Sequence, residues 1–342
     1  MTSTSVPARR AAAALGMALA ASLSLGGCNG DAAQSVEDET SESAQPRGAG
    51  SLVEVSPLTG LPVGDDAPDH PIMIVKIDNT ASAAPQQGLS GADLVVEELV
   101  EGGSTRYAAF YWQEQPEMVG PVRSMRATDI GIVQPAAAKL VAAGGAPKTR
   151  RRVAAAGIDL LEEKDPGFSR DESRVAPYNL MVDLDVLADS LDDADPPSGY
   201  LPFGAEDSWP GGKTANTVEV TFSGMHTTSW RFEDGTGWVR ANSLAQQGED
   251  FVPDNVLALW VKVGDAGYLD PAGNAVPELK VAGGGSATLF HDGEAVEGRW
   301  SKDGTEGLIE LSDLDGKDLA VPVGKTWIEL IPRGTGSLHY GR

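Results

Sequence analysis

Ile72-Met73-Ile74-Val75-Lys76-Ile77-Asp78-Asn79 is the stretch on which the reading of the fold turns. Six mostly β-branched or apolar residues follow Pro71 and stop at a polar Asp-Asn pair. Such a run reads as a short strand covered on both faces. Leu94-Val95-Val96-Glu97-Glu98-Leu99-Val100 reads as a second strand, and Arg106-Tyr107-Ala108-Ala109-Phe110-Tyr111-Trp112 as a third. Gly102 to Thr105 lies between them and predicts a hairpin turn. Lys139 to Ala143 is a further small strand, stopped by Gly144-Gly145. Met125 to Ala138, Thr149 to Ala156 and Asp183 to Leu191 read as helices, the last with an acidic first turn and the middle one closed by Gly157. Strands and helices mixed in this way predict a mixed α/β domain over residues 51–196.

Beyond it the composition changes. Asp192 to Gly212 is rich in Asp, Pro and Gly, and residues 197–212 read as a linker. Residues 213–333 carry strand patterns only. Val218 to Phe222 alternates. Trp230-Arg231-Phe232 and Trp238-Val239 flank a turn, Val256 to Val263 is a long apolar run, and Trp327 to Ile331 closes the region. Asp292-Gly293 between Thr288-Leu289-Phe290 and Ala295-Val296 is a strong hairpin signal, because that turn needs positive φ at both central residues. Residues 334–342 remain as a tail. The fold class expected is α+β: an N-terminal mixed α/β domain followed by a C-terminal antiparallel all-β domain, a sandwich or barrel. Trp230, Trp238, Trp260, Trp300 and Trp327 belong to this β region, where alternating aromatics are more often core than sugar platforms.

The other end of the chain addresses the cell envelope. Arg9-Arg10 precedes an alanine-rich apolar run from Ala11 to Leu25, and Leu25-Gly26-Gly27-Cys28 follows. A basic start, a short apolar stretch and small residues before a cut site define a secretory signal over residues 1–27. The Leu25-to-Cys28 pattern resembles a bacterial lipobox, whose cysteine receives a diacylglyceryl group. Cys28 is the only cysteine of the 342 residues. It would carry the anchor, and two acyl chains hold a protein stably where one is marginal. Residues 28–50 have almost no bulky apolar side chains and read as a disordered tether. The expected location is extracytoplasmic, lipid-anchored to the cell membrane.

The formal net charge is −24, and losing Arg9 and Arg10 with the leader makes the chain still more acidic. A chain this acidic is repelled by nucleic acid, so no nucleic-acid partner is expected. The four histidines are scattered, no zinc spacing occurs, and neither a nucleophile elbow nor a phosphate-binding loop is present. The acidic runs 183–195 and 313–318 do not match a calcium loop. No metal or cofactor is expected. One polar set stands out: Asp78, Asn79, Glu97, Glu101, Arg106, Arg123, Ser124 and Arg126, with Arg174 and Asn179 in a second polar stretch around Pro177. Glu97 and Glu101 are four positions apart and would share one face of a strand. Arginine forks bind carboxylate and phosphate groups, whereas paired carboxylates do acid–base work in glycosidases. The same set serves equally well as an ion network pinning turns together.

Several of these elements form a wider pattern. It comprises Pro57-Leu58-Thr59-Gly60, Ile77-Asp78-Asn79, Gly88-Leu89, Ala92-Asp93, Val100-Glu101-Gly102-Gly103, Thr105-Arg106, Gly120-Pro121-Val122-Arg123-Ser124, Arg126, Pro177 and Asn179. Near the end stand Gly298, Trp300-Ser301-Lys302 and Gly324-Lys325-Thr326-Trp327-Ile328-Glu329. The pattern resembles the YerB-like family of bacterial envelope lipoproteins and spans about Ser56 to Pro332. The resemblance implies two domains and supplies no reaction. Ala84, Ala142-Ala143 and Tyr178 stand where that pattern commonly has an Arg, a His and a His, which weakens a catalytic reading. The expectation is a non-catalytic binding or regulatory lipoprotein. It would hold an envelope protein or anionic envelope ligand at the Arg/carboxylate set. An envelope polysaccharide hydrolase is the alternative, and a structural spacer a third.

Overall fold

The computed structural model describes residues 54–64, 67–195 and 197–342. Residues 1–27, read as a secretory signal, and residues 28–50, read as the tether beginning at Cys28, lie outside the described residues. Strands dominate. They are β1 (Met73–Asn79), β2 (Leu94–Leu99), β3 (Thr105–Tyr111), β4 (Lys139–Val141) and β5 (Leu160–Leu161), then β6 (Thr217–Ser223), β7 (His226–Glu233) and β8 (Gly237–Arg240). The long β9 (Asn255–Leu269) follows, with β10 (Ala275–Lys280), β11 (Gly283–His291), β12 (Glu294–Lys302), β13 (Glu310–Asp313), β14 (Thr326–Pro332) and β15 (Ser337–Gly341). Helices are short: α1 (Asp129–Val133), α2 (Pro147–Ala155) and α3 (Leu184–Ala188).

The decisive strands fall where the sequence puts them. All seven residues of β1 are buried, as are the six of β2 and the seven of β3. The β2–β3 connection turns through Gly102 and Gly103, both at positive φ. In the β11–β12 hairpin Asp292 and Gly293 have φ of 47° and 69°, the left-handed pair that an Asp-Gly turn supplies. Trp230, Trp238, Trp300 and Trp327 are buried in the core.

The organisation differs from expectation in one major respect. A single twelve-stranded sheet runs β13-β12-β11-β9-β14-β2-β3-β1-β4-β5, with β10 pairing β9 and the short Lys213–Thr214 strand pairing β12 off that path, and takes strands from both halves of the chain. β14 lies between β9 and β2 and is parallel to both. The C-terminal half is therefore not an antiparallel all-β body by itself, and the mixed sheet is not confined to the N-terminal half. The cause is the composition of β14. Its seven residues are all buried and, apart from Thr326 and Glu329, apolar, and a strand of that kind must be flanked on both edges and covered on both faces.

A second, antiparallel sheet runs β8-β7-β6-β15. It contributes Val218, Val220, Phe222, Trp230 and Trp238 to the same core as β1–β3 and β14. The stretch read as a linker is packed: Tyr200 and Leu201 are buried, Tyr200 Oη donates to the Ile132 carbonyl at 3.1 Å, and Phe203–Gly204 pairs with Val321–Pro322. The tail includes β15, which pairs with β6. α1 and α3 are shorter than the patterns over 125–138 and 183–191, α1 passing into a 3-10 turn at Gln134–Ala136, whereas α2 begins two residues earlier than expected, at Pro147.

Candidate functional site

Asp78, the penultimate residue of β1, stands opposite Arg106 of β3. The segment after Pro121 runs along β1, and the Arg123 N–H donates to the Lys76 carbonyl at 2.8 Å. That pairing brings Arg123 Nε to 2.6 Å from Asp78 Oδ2, while the Thr80 N–H and hydroxyl donate to Oδ1 at 2.8 and 2.6 Å. Glu101 sits in the turn beyond β2. It accepts from Arg126 Nε at 2.7 Å and lies 3.3 Å from Arg106 Nη2, and Arg126 Nη2 also closes on it. Arg106 Nη1 donates to the Ser124 carbonyl at 2.6 Å, and Arg126 Nη1 to that of Met125 at 2.8 Å.

Three guanidiniums thus meet two carboxylates, leaving one positive charge over in a chain of net −24. Burial, followed by the repulsion of Arg126, pushes Arg106 down to about 10. Burial opposes ionisation of Glu101, but the hydrogen bonds and charge of Arg126 outweigh it and hold the carboxyl below the usual range.

The node borders a cleft of about 470 Å³, lined among others by Ser124, Arg126, Ala146, Pro147, Tyr268 and Asp270. Helix α2 opens there with Pro147 in its first turn and no side-chain cap. Its first-turn N–H groups have no intrahelical partner and carry the positive end of the helix dipole. The tip of the β9–β10 ribbon forms the opposite wall. Lys148 Nζ donates to the Gly267 carbonyl at 3.2 Å, and the Thr149 and Tyr268 hydroxyls are 2.9 Å apart.

The remaining candidates lie elsewhere. Arg174 donates to Asp171 at 2.9 Å and to the Ala83 and Pro85 carbonyls at 3.1 and 2.6 Å. Asn179 Oδ1 accepts from Arg170 at 2.7 Å. Both residues hold the 170–179 loop in place. Arg123 ties that loop to the node by lying 5.1 Å from the centre of the Tyr178 ring.

Asn79 and Glu97 face the opposite side of the sheet, under β7. Glu97 is wholly buried. Its Oε1 accepts from Thr105 at 2.6 Å and Asn79 at 3.1 Å and lies 2.8 Å from His226 Nε2, and its Oε2 accepts from Thr228 at 2.9 Å. Burial works against the charge, but His226, Thr105 and Arg240 hold this carboxyl below its ordinary value. Glu97 and Glu101 therefore do not share a face: strand alternation ends at Leu99, and Gly102 turns the chain away. The carboxylate pair expected for a hydrolase is not formed by these two residues.

Two buried clusters escaped the sequence reading. Lys76 bonds Glu98 and Asp129, each at 2.7 Å, with all three side chains fully buried. Burial and the Asp129 charge raise Glu98 to about 7. Glu329 stands beside Glu97 in the parallel register and accepts from Trp230 Nε1 at 2.8 Å. Close by, Arg240 is buried against Tyr107, Trp327 and Asp250. A usable signal was present. Lys76, the Glu97-Glu98 pair and Glu329 each stand among apolar strand residues, and an ion in such a place requires a partner. Among the described residues no group of His, Asp and Glu is arranged to hold a metal. No described helix is long and apolar enough to cross a membrane.

The strand-dominated two-part chain, with its guanidinium node at the end of β1, falls in a defined class. Residues 58–197 match the N-terminal domain, and residues 218–328 the C-terminal domain, of the family described as protein of unknown function DUF3048. The chain belongs to this family. It is 26% identical over 294 residues to "Putative lipoprotein YerB" of Bacillus subtilis (strain 168), covering 81% of this chain and 86% of that one. The crystal structure of YerB protein from Bacillus subtilis has the same fold, with a TM-score of 0.69, 23% identity, and coverage of 84% of this chain and 99% of that one.

Proposed function

We propose that the protein is an extracytoplasmic lipoprotein, anchored through Cys28 and tethered by residues 28–50, that binds an anionic envelope ligand without transforming it. The ligand would sit in the cleft between the Arg106/Arg123/Arg126 node and the β9–β10 ribbon. The observation that carries this reading is the surplus guanidinium charge beside an uncapped helix start, in a chain otherwise strongly acidic. A carboxylate or phosphate there meets Arg126, Lys148 and the first-turn N–H groups of α2. The hydrolase alternative is weakened because Asp78 and Glu101 are each engaged by arginine and Glu97 lies under the second sheet.

The test titrates the full chain with a short poly-glutamate peptide and, separately, with a polyol-phosphate oligomer. At least one should bind, more weakly as salt is raised. Lys148→Glu, an exposed change outside the ion lattice, should weaken binding roughly tenfold. Absence of binding to both probes, or binding indifferent to Lys148→Glu, contradicts the proposal.

A further inference from the structure

The sheet brings two glutamates together at the contact between the main sheet and the four-stranded one. β14 and β2 are parallel neighbours, and Glu329 is the register partner of Glu97. Both side chains are fully buried. Residues in register on adjacent strands point to the same face, with their Cβ atoms about 5 Å apart. Two full charges at that separation in a dry site repel strongly. Hydrogen bonding divides the roles. Glu97 receives donors from Thr105, Asn79 and Thr228, whereas Glu329 receives one within bonding distance, from Trp230, with a weaker contribution from the Trp327 indole, and its Oε2 has no bonded donor. A carboxylate left that way leaves a buried acceptor unsatisfied, but a protonated Oε2 becomes a donor to Glu97.

We propose that a single proton held between Glu329 and Glu97 latches the four-stranded sheet onto the main sheet, and that losing it in alkaline surroundings releases residues 226–240. The covering sheet supplies a donor to each glutamate, Thr228 to Glu97 and Trp230 to Glu329, both on β7, and the nearby Arg240 charge on β8. Charged and titratable groups face the pair from few directions. β7 supplies His226, 18% exposed at its side chain, and β8 supplies Arg240, itself paired with Asp250. β3 supplies Tyr107, whose hydroxyl accepts from Arg240. β1 gives only the neutral Asn79, β9 places Ala258 beside Glu329, and β6 presents Val218, Val220 and Phe222 with Glu219 exposed. One fixed cation therefore serves Glu97 and Asp250 already, and a second ionised glutamate has no counter-charge. Burial first, then the Glu97 charge, raises Glu329 well above the ordinary carboxyl range. An acid raised in the folded state supports folding fully below its unfolded value, and that support is lost as pH rises through the folded value.

The experiment compares wild type with Glu329→Gln, whose amide donates to Glu97 at every pH. Urea unfolding is followed from pH 5 to 9, with hydrogen exchange of residues 226–240. The folding constant of wild type should fall relative to Glu329→Gln, by up to tenfold per pH unit, from pH 5 until Glu329 ionises in the folded state. Taking the ratio of the two proteins cancels the other groups that titrate in this range in both, Asp93 and Glu98, which burial raises to about 6 and about 7, and Lys302, which burial lowers to about 8. Exchange protection of residues 226–240 should drop with pH in wild type and stay level in the variant. Parallel pH profiles for the two proteins overturn the proposal. If Glu329→Gln does not fold, wild type alone decides: protection of 226–240 that is unchanged to pH 9, after correction for base catalysis, overturns it equally.

Discussion

Glu97 and Glu98 are adjacent on β2, both fully buried, and solve the same problem in opposite ways. Glu98 looks toward α1 and meets a counter-ion: Lys76 lies between it and Asp129. Glu97 looks toward the four-stranded sheet and meets hydroxyl, amide and imidazole groups, with a second carboxyl as its neighbour. Strand alternation sends neighbours to opposite faces, so one dipeptide fastens two different layers to the central sheet. The ion-paired face is stabilised by charge cancellation, the other by directed hydrogen bonds. A buried pair fails abruptly when one partner is removed, whereas a hydrogen-bonded carboxylate loses its donors one at a time.

That difference can be broken by mutation. Lys76→Met should have the largest effect, destabilising by about 3–5 kcal/mol in urea unfolding, because Glu98 and Asp129 are left buried without a cation. Glu98→Gln acts through pH. The acid is raised to about 7 in the folded state, so its contribution falls between its unfolded value and about 7 as pH increases. The variant should lose that part of the pH dependence, and an unaltered profile between pH 5 and 7 would show that Glu98 is not the group responsible. Thr228→Val is the smallest change. It removes one of the donors to Glu97 and should destabilise by about 1.5–3 kcal/mol, the range for a hydrogen bond to a charged group. Thr228→Val costing as much as Lys76→Met would erase the contrast between the two faces.

Much of the strand inventory was legible because period and turn chemistry are local. The apolar runs at 72–77, 94–100 and 106–112 and the Asp292-Gly293 turn needed no tertiary information. The shared sheet was not legible, because nothing in Trp327-Ile328-Glu329-Leu330-Ile331 names β2 as its parallel neighbour more than 200 residues away. Its uniformly buried character was the one available clue. The Arg/carboxylate set was half legible. Asp78, Glu101, Arg106, Arg123 and Arg126 come together with the Ser124 backbone, whereas Asn79 and Glu97 pass to the other face and Arg174 and Asn179 to a loop. Counting four residues from Glu97 to Glu101 failed because the strand ends in between, a boundary that Gly102-Gly103 marks only approximately.

The proposed site for an envelope ligand is the cleft that the guanidinium node borders. The most direct measurement places a photo-crosslinking residue at Leu269, exposed at that cleft, and in a second protein at Leu314, exposed next to the β13 edge strand. Both are expressed at native level in living cells, irradiated, and read by mass spectrometry. The account predicts that position 269 captures a carboxylate- or phosphate-bearing envelope component that position 314 does not, and that Lys148→Glu abolishes the capture. Equal capture at the two positions, or none at 269, would contradict it.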